Sequence, residues 1–258
     1  MDRPLDIIYR DDHLVAIDKP PGLLVHPSWI DRRETRSAMH LLRDQIGSYV
    51  YPVHRLDKPT SGVLLFALSA DIARRLGDSF THKTLDKRYL AVVRGYVAPS
   101  GLVDHALKEP QDKMTDRRAR KDKPPQPAIT GYRRLATLEL PLRVDRYPTS
   151  RYSLVEVNPL TGRKHQIRRH FKHLSHPVIG DTSYGKSSHN RLFSEVYACR
   201  RLLLAATQLT LEHPVTGERL VLQAGLDRDF MRIIQLFDQA AATPALGFDE
   251  IPSPCPSP

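Results

Sequence analysis

The stretch Val63-Leu64-Leu65-Phe66-Ala67 is an unbroken apolar run set directly behind the turn-forming segment Val53-His54-Arg55-Leu56-Asp57-Lys58-Pro59-Thr60-Ser61-Gly62. A short apolar run bounded by Pro and Gly predicts a buried strand, which anchors the chain in a core at that point. Asp57 lies between Arg55 and Lys58 in the turn that enters this strand. Such a carboxylate is fixed by the backbone and kept ionised by its neighbours, as a catalytic carboxylate must be. An Asx-type turn residue bonded to nearby amides has the same local pattern, so the rest of the chain has to decide between the two.

The chain has 258 residues, a net charge of +10 and only Cys199 and Cys255 as cysteines. That length supports a full core. The basic excess points to a polyanionic partner, and two distant cysteines suit a reducing cytosol better than a disulfide framework. The sequence shows no apolar signal segment and no run long enough to span a bilayer, so a soluble, cytoplasmic protein with no membrane partner is expected.

Ile7-Ile8-Tyr9 and Leu14-Val15-Ala16-Ile17 predict a hairpin, Lys19-Pro20-Pro21-Gly22 a break, and Leu23-Leu24-Val25 a resumed strand. Apolar spacing predicts helices over 37–46, capped by Ser37 and stopped by Gly47, over the segment carrying Ile72, Ala73, Leu76 and Phe80, and over 229–241. Strands are expected over 86–94, 128–140, 151–157, 202–211 and 219–223. In the first of these Tyr89 shares a face with Ala91 and Val93, a position that by itself suggests packing. With no repeat and no linker-like break, and without regular strand-helix alternation, the expectation is a single α+β domain over 1–242. The Pro-rich tail, 243–258, is expected to be disordered.

Two segments concentrate positive charge. From Lys108 to Pro127 basic residues outnumber Glu109, Asp112, Asp116 and Asp122, giving a solvated loop that is also a candidate phosphate contact. The segment Arg163–Leu174 reads as a helix with Thr161 as its cap and with Ile167, Phe171 and Leu174 on a buried stripe. Lys164, Arg168 and Lys172 then form a row beside that stripe. No acid lies between Thr161 and Gly180, so these cations must find partners elsewhere, either a buried carboxylate or phosphates.

Nucleotide-cradling glycine motifs are absent. Leu56 separates Arg55 from Asp57, and no Gly-rich loop or Asp-Phe-Gly accompanies them, which excludes a kinase reading. His165, His170, His173 and His176 have no metal-site spacing and stand in a field of cations, so no metal is expected.

Four blocks resemble the RluA-type pseudouridine synthases over nearly the whole chain. They are Lys19-Pro20-Pro21-Gly22 with His54–Gly62, Lys87–Gly95, Thr161–Arg168, and His176–Asp181, in the family's order. The resemblance implies a mixed, mainly antiparallel sheet with flanking helices around a central cleft; the S4-type RNA-binding domain that some relatives carry is not expected here, since the pattern begins within the first ten residues. The resemblance also implies that Asp57 is the nucleophile, that Tyr89 stacks on the flipped base and helps in proton transfer, and that Arg168 pairs with Asp57. Arg55 would enter the RNA stack, and no cofactor is implied; the acid-free charge pattern itself makes Lys164 and Lys172 candidate RNA contacts. Within the family, Ser28–Arg32 and Arg146–Tyr152 resemble the subgroup acting on uridine 65 of tRNA. A ribosomal RNA or another tRNA uridine is the alternative substrate. A non-catalytic basic RNA-binding protein is the alternative of another class, against which the joint presence of Asp57, Tyr89, Arg55 and Arg168 speaks. A monomer is expected.

Overall fold

A computed structural model describes residues 4–26, 36–82, 85–109 and 124–242. The Ser28–Arg32 stretch, most of the basic 108–127 segment and the 243–258 tail lie outside the described residues.

The chain runs β1 (Asp6–Arg10), β2 (Leu14–Lys19), α1 (Ala38–Ile46), β3 (Tyr51–Pro52), β4 (Ser61–Ala67), α2 (Ala70–His82), β5 (Asp86–Arg94) and β6 (Ser100–Asp104). It continues with β7 (Ile129–Leu140), β8 (Ser150–Pro159), α3 (Gln166–His173), α4 (Ser187–Val196), β9 (Leu204–Glu212), β10 (Arg219–Gln223) and α5 (Arg228–Ala242). The strands form one ten-stranded sheet in the order β1-β2-β4-β9-β5-β8-β7-β6, with β3 beside β4 and β10 beside β9. Among these strand pairs only β4–β9 is parallel. The protein is α+β, as its sequence pattern predicts, and its sheet is mixed and mostly antiparallel, as the family resemblance implies.

β4 is buried along its whole length. Val63, Leu65 and Ala67 join the core under α2, and Leu64 and Phe66 join the core under α1. A strand covered on both faces has no polar side to show, which is why the run does not alternate. Burying each of its large side chains contributes about 1.5–3 kcal/mol.

Neighbouring β9 repeats the division. Leu202, just ahead of the strand, and Leu204 pack with Ile167 and Phe171 beside α3, and Ala206 packs in the α1 cluster. Leu203 and Ala205 face the opposite way, onto Phe193 of α4 and Phe230, Ile233 and Phe237 of α5. One face of the sheet is therefore covered by α1 and α3 side by side. The seam between their two cores is bordered by Tyr89, a half-buried side chain that touches both.

Ser37 caps α1 by accepting from the His40 amide at 3.4 Å, and Gly47 ends it in the left-handed region at φ 68°. Leu23–Val25 is not a strand: only Leu24 makes a single bridge, to Ser37. The Pro20-Pro21-Gly22 turn is held by bonds described below, so the chain leaves it without a ladder to join. Three elements carry little sequence signal. β3 is two residues long with a proline, β6 buries only Val103, and α4 is a polar segment that buries only His189 and Phe193.

The parallel contact of β4 with β9 consists of Ser61 opposite Ala205 and Gly62 opposite Ala206. Gly62 has φ +106°, and a Cβ there would stand 2.1 Å from the Ala206 carbonyl oxygen. Both the backbone conformation and the approach require glycine. Gly62→Ala is expected to lower unfolding free energy by roughly 2–5 kcal/mol, read as a drop in the urea midpoint.

Candidate active site

The Asp57 turn is built from both ends. His54 is tied to β4 by accepting the Leu65 amide at Nε2, 3.0 Å, and it stacks on Phe80 with ring centroids 5.1 Å apart. Burial and the Lys87 charge push its pKa down to about 3, so the ring is neutral and structural. Leu56 enters the α1 core. The Thr60 amide closes the turn on the Asp57 carbonyl at 3.0 Å.

A second turn locks onto the first. The Lys58 carbonyl accepts from the Gly22 amide at 2.8 Å and from Lys19 Nζ at 3.2 Å. Lys19 is fully buried and also donates to the carbonyls of Pro20 and Leu23, at 2.8 and 2.9 Å. Burial, reinforced by the Arg201 charge, pushes its pKa down to about 7 against the pull of Asp57 and Asp18. Three carbonyls around Nζ match the three N–H groups of an ammonium. The Lys19-Pro20-Pro21-Gly22 and Asp57 turns thus form one unit.

The partner side comes from α3, which begins later than the sequence predicts. Thr161 is not its cap: the Thr161 hydroxyl accepts from the Ile129 amide at 2.9 Å and donates to Gln166 Oε1 at 2.7 Å. Gln166 Nε2 reaches the Ile129 carbonyl and Thr130 Oγ1. These bonds tie the segment to β7, and the chain enters the helix only after His165, which has φ 56°. Lys164 therefore precedes the helix and does not share a helical row with Arg168 and Lys172. Arg168 is buried, whereas Lys164 and Lys172 are exposed, and Leu174 is only half-buried.

Arg168 holds two carboxylates. Nε and Nη2 donate to Asp181 Oδ2 and Oδ1, both at 2.8 Å, and Nη1 donates to Asp57 Oδ2 at 3.0 Å. The Arg168 and Asp181 side chains are 5% and 0% exposed, and that of Asp57 is 23% exposed. Burial alone would raise the pKa of Asp181, but Arg168 and the amides of Tyr184 and Ser183 outweigh it and hold the carboxyl below 3.8. Tyr184 also lies under the Arg168 guanidinium, 5.2 Å from its ring centroid, and its hydroxyl is 3.0 Å from His165 Nδ1. The other ring nitrogen of His165 stands 3.8 Å from Asp57 Oδ1.

Register places the remaining wall. Gly62 is opposite Ala206, and Ala206 is opposite Tyr89, across three adjacent strands. The β5–β9 ladder slips between Arg88 and Tyr89: Arg88 pairs with Gln208 and Tyr89 with Ala206, leaving Thr207 as the extra residue of a bulge. Burial and the nearby Asp57 charge raise the Tyr89 pKa, so the phenol keeps its proton at neutral pH.

Of the six side chains singled out from the sequence, Asp57, Tyr89 and Arg168 converge at the seam between α1 and α3. Arg55, Lys164 and Lys172 are exposed, with Arg55 two residues before Asp57. Sequence reasoning did not assign roles to Asp181, His165, Tyr184 or Lys19. The one available signal was that the acid-free stretch after Thr161 ends at Asp181, the first carboxylate Arg168 could meet. Chemically, Asp57 has one oxygen engaged and one open beside an aromatic ring, an arrangement suited to attack on, or charge stabilisation of, an electrophilic carbon.

Residues 13–173 match the family described as RNA pseudouridylate synthase. The chain is 51% identical to tRNA pseudouridine synthase C of Yersinia pestis, covering 96% of each protein. It is also 51% identical to tRNA pseudouridine synthase C of Pectobacterium carotovorum subsp. carotovorum, over 96% of this chain and 66% of that protein. Among solved structures it resembles Human RNA Pseudouridylate Synthase Domain Containing 4, with a TM-score of 0.67 and 27% identity over 90% of this chain and 93% of that one. It resembles Human RNA Pseudouridylate Synthase Domain Containing 1 with a TM-score of 0.66 and 26% identity over 93% and 96%. Among the described residues no helix is long and apolar enough to cross a membrane.

Asp181→Ala strands the Arg168 charge and is expected to cost about 3–5 kcal/mol in urea unfolding. Because the Asp181 pKa is depressed in the fold, its contribution is present above pH 3.8 and is lost as pH falls through the folded value. The stability of the variant should accordingly fall less steeply than that of the wild type below pH 3.8.

Proposed function

Because the chain belongs to the RNA pseudouridylate synthase family, we propose that it isomerises a uridine of tRNA, at position 65, to pseudouridine, with Asp57 at the reacting carbon. The observation that carries this reading is the Asp57 carboxylate, with Oδ2 held by Arg168 and Oδ1 open to the seam that Tyr89 borders.

The reaction breaks the N1–C1′ bond of uridine, turns the uracil in place and joins C5 to C1′. It is redox-neutral, and every atom of the product comes from the uridine and solvent protons, so no cofactor is required. Asp57 Oδ1 either bonds C1′ or stabilises positive charge developing there. Both routes use the same open oxygen. Arg168, fixed by Asp181, keeps that oxygen turned toward the substrate. Tyr89 supplies an aromatic face for the flipped base, and exposed Arg55, two residues before Asp57, fills the space the base leaves in the RNA stack. Flipping costs a few kcal/mol of unstacking, to be recovered from contacts of this kind. Lys164 and Lys172 flank the site as phosphate contacts, in keeping with the +10 charge.

The choice of tRNA rests on the relatives named tRNA pseudouridine synthase C and on the subgroup resemblance at Arg146–Tyr152. We assign the activity to one domain over residues 1–242, acting as a monomer in the cytoplasm.

Asp57→Asn should abolish tritium release from tRNA carrying 5-tritiated uridine while leaving tRNA binding within a few-fold. Primer-extension mapping should place the wild-type product at tRNA position 65. Turnover by the variant overturns the assignment of Asp57, and a mark only in ribosomal RNA overturns the tRNA reading. Replacing Lys164 and Lys172 with Gln should weaken binding and flatten its logarithmic salt dependence by up to about one phosphate contact each. An unchanged slope in a filter-binding titration removes these two lysines from the interface.

A further inference from the structure

Forming the C5–C1′ bond leaves C5 still carrying its hydrogen, and that proton must depart to restore the conjugated ring. N1, released from the sugar, gains one. Net, a proton moves from carbon to nitrogen, and some group has to accept it first. Tyr89 keeps its phenolic proton at neutral pH, because burial and Asp57 raise its pKa, so it can help relay the proton but not hold it. Asp57 Oδ2 is occupied by Arg168.

On the reading that Asp57 acts at C1′, we propose that His165 Nε2 takes the proton from C5, with Tyr184 fixing the ring. Once the uracil has turned, C5 is bonded to C1′, the atom that faces Asp57 Oδ1. The departing proton therefore lies close to Oδ1, and His165 Nε2 is 3.8 Å from that oxygen, beside the open side of the carboxylate. His165 Nδ1 is 3.0 Å from the Tyr184 hydroxyl. When Nδ1–H donates to Tyr184, Nε2 carries the lone pair a base needs. A lone pair facing carboxylate oxygen also accounts for a separation longer than a hydrogen bond. After Nε2 takes the proton, the imidazolium is an ion-pair partner for Asp57, and the same proton can return to N1 directly or through solvent.

The surroundings hold the ring ready. Burial, Arg168 and Lys164 lower its pKa while Asp57 and Asp181 raise it, with a net value below 6.5, so the free base predominates at neutral pH. The backbone points the same way. His165 sits at φ 56°, where glycine would turn the chain more cheaply, and its side chain makes no capping bond to α3. What histidine adds there is its ring.

The backbone angle also provides the test, since His165→Gly suits that conformation and leaves a space for free imidazole. In single-turnover assays with tRNA, His165→Gly should bind within a few-fold of the wild type and isomerise about 10²–10⁴-fold more slowly. A deuterium isotope effect at C5 should appear or increase, and the acid limb of the wild-type pH–rate profile should be absent. Added imidazole should restore much of the rate, which a purely positioning role would not allow. Tyr184→Phe should slow the reaction less, with the same isotope signature. A rate within a few-fold of the wild type with an unchanged isotope effect, or a slow variant that imidazole does not rescue, overturns the assignment. If Asp57→Asn is inactive while His165→Gly is fully active, only this inference fails; an active Asp57→Asn removes the underlying reading of the site.

Discussion

Arg168 divides one guanidinium between two carboxylates, and the site depends on that division. A buried guanidinium is costly unless its donors are matched, and the bidentate Asp181 contact supplies most of the match. The remaining donor, Nη1, is then fixed in direction and meets Asp57 at 3.0 Å. At a similar separation and an effective dielectric near 20, such an attraction is worth about 4 kcal/mol before desolvation. Position is the larger gain. Asp57 comes from a loop before β4, Arg168 from α3 and Asp181 from the segment after α3, so this contact joins parts of the chain more than a hundred residues apart.

The sheet places these parts where they meet. β9 is the common neighbour of β4, β5 and β10, and helices cover both sheet faces beside it. α1 and α3 lie on the same face and leave a line along which neither core closes over the other. Asp57, Arg168 and Tyr89 meet along that line, with a strand behind them and α3 beside them. A site built on such elements is more rigid than one carried on loops alone.

Much of this was legible in the sequence. The unbroken run Val63–Ala67 required a strand covered on both sides, and the Pro and Gly residues before it required a turn, so the presentation of Asp57 followed from local chemistry. The acid-free segment required partners from elsewhere, a buried carboxylate or phosphates, while the pairing of Arg168 with Asp57 and the role of Tyr89 came from family resemblance. What the sequence did not reveal was non-local or conformational. The start of α3 is set by Thr161 and Gln166 bonding to β7, which the helical spacing of Ile167 and Phe171 does not register. The left-handed turn at His165 has no glycine to announce it. Lys19 reads as a surface cation until the fold closes three carbonyls around it, and β6 and α4 bury too few side chains to leave a periodic mark.

The bulge at Thr207 acts as a phase shift in the ladder. Below it, β5 pairs with β9 as Asp86 with Thr210, Lys87 with Leu209 and Arg88 with Gln208. Were that phase to continue, Tyr89 would stand opposite Thr207, and Leu90 would stand opposite Ala206. Directly opposed residues share a face, so an aliphatic side chain would then line the α1–α3 seam and the tyrosine would turn to the other side of the sheet. One additional residue on β9 thus decides which of two neighbours on β5 is exposed to the open carboxylate oxygen. A strand tyrosine that its position alone would assign to the core comes to border the α1–α3 seam through a counting step in its partner strand.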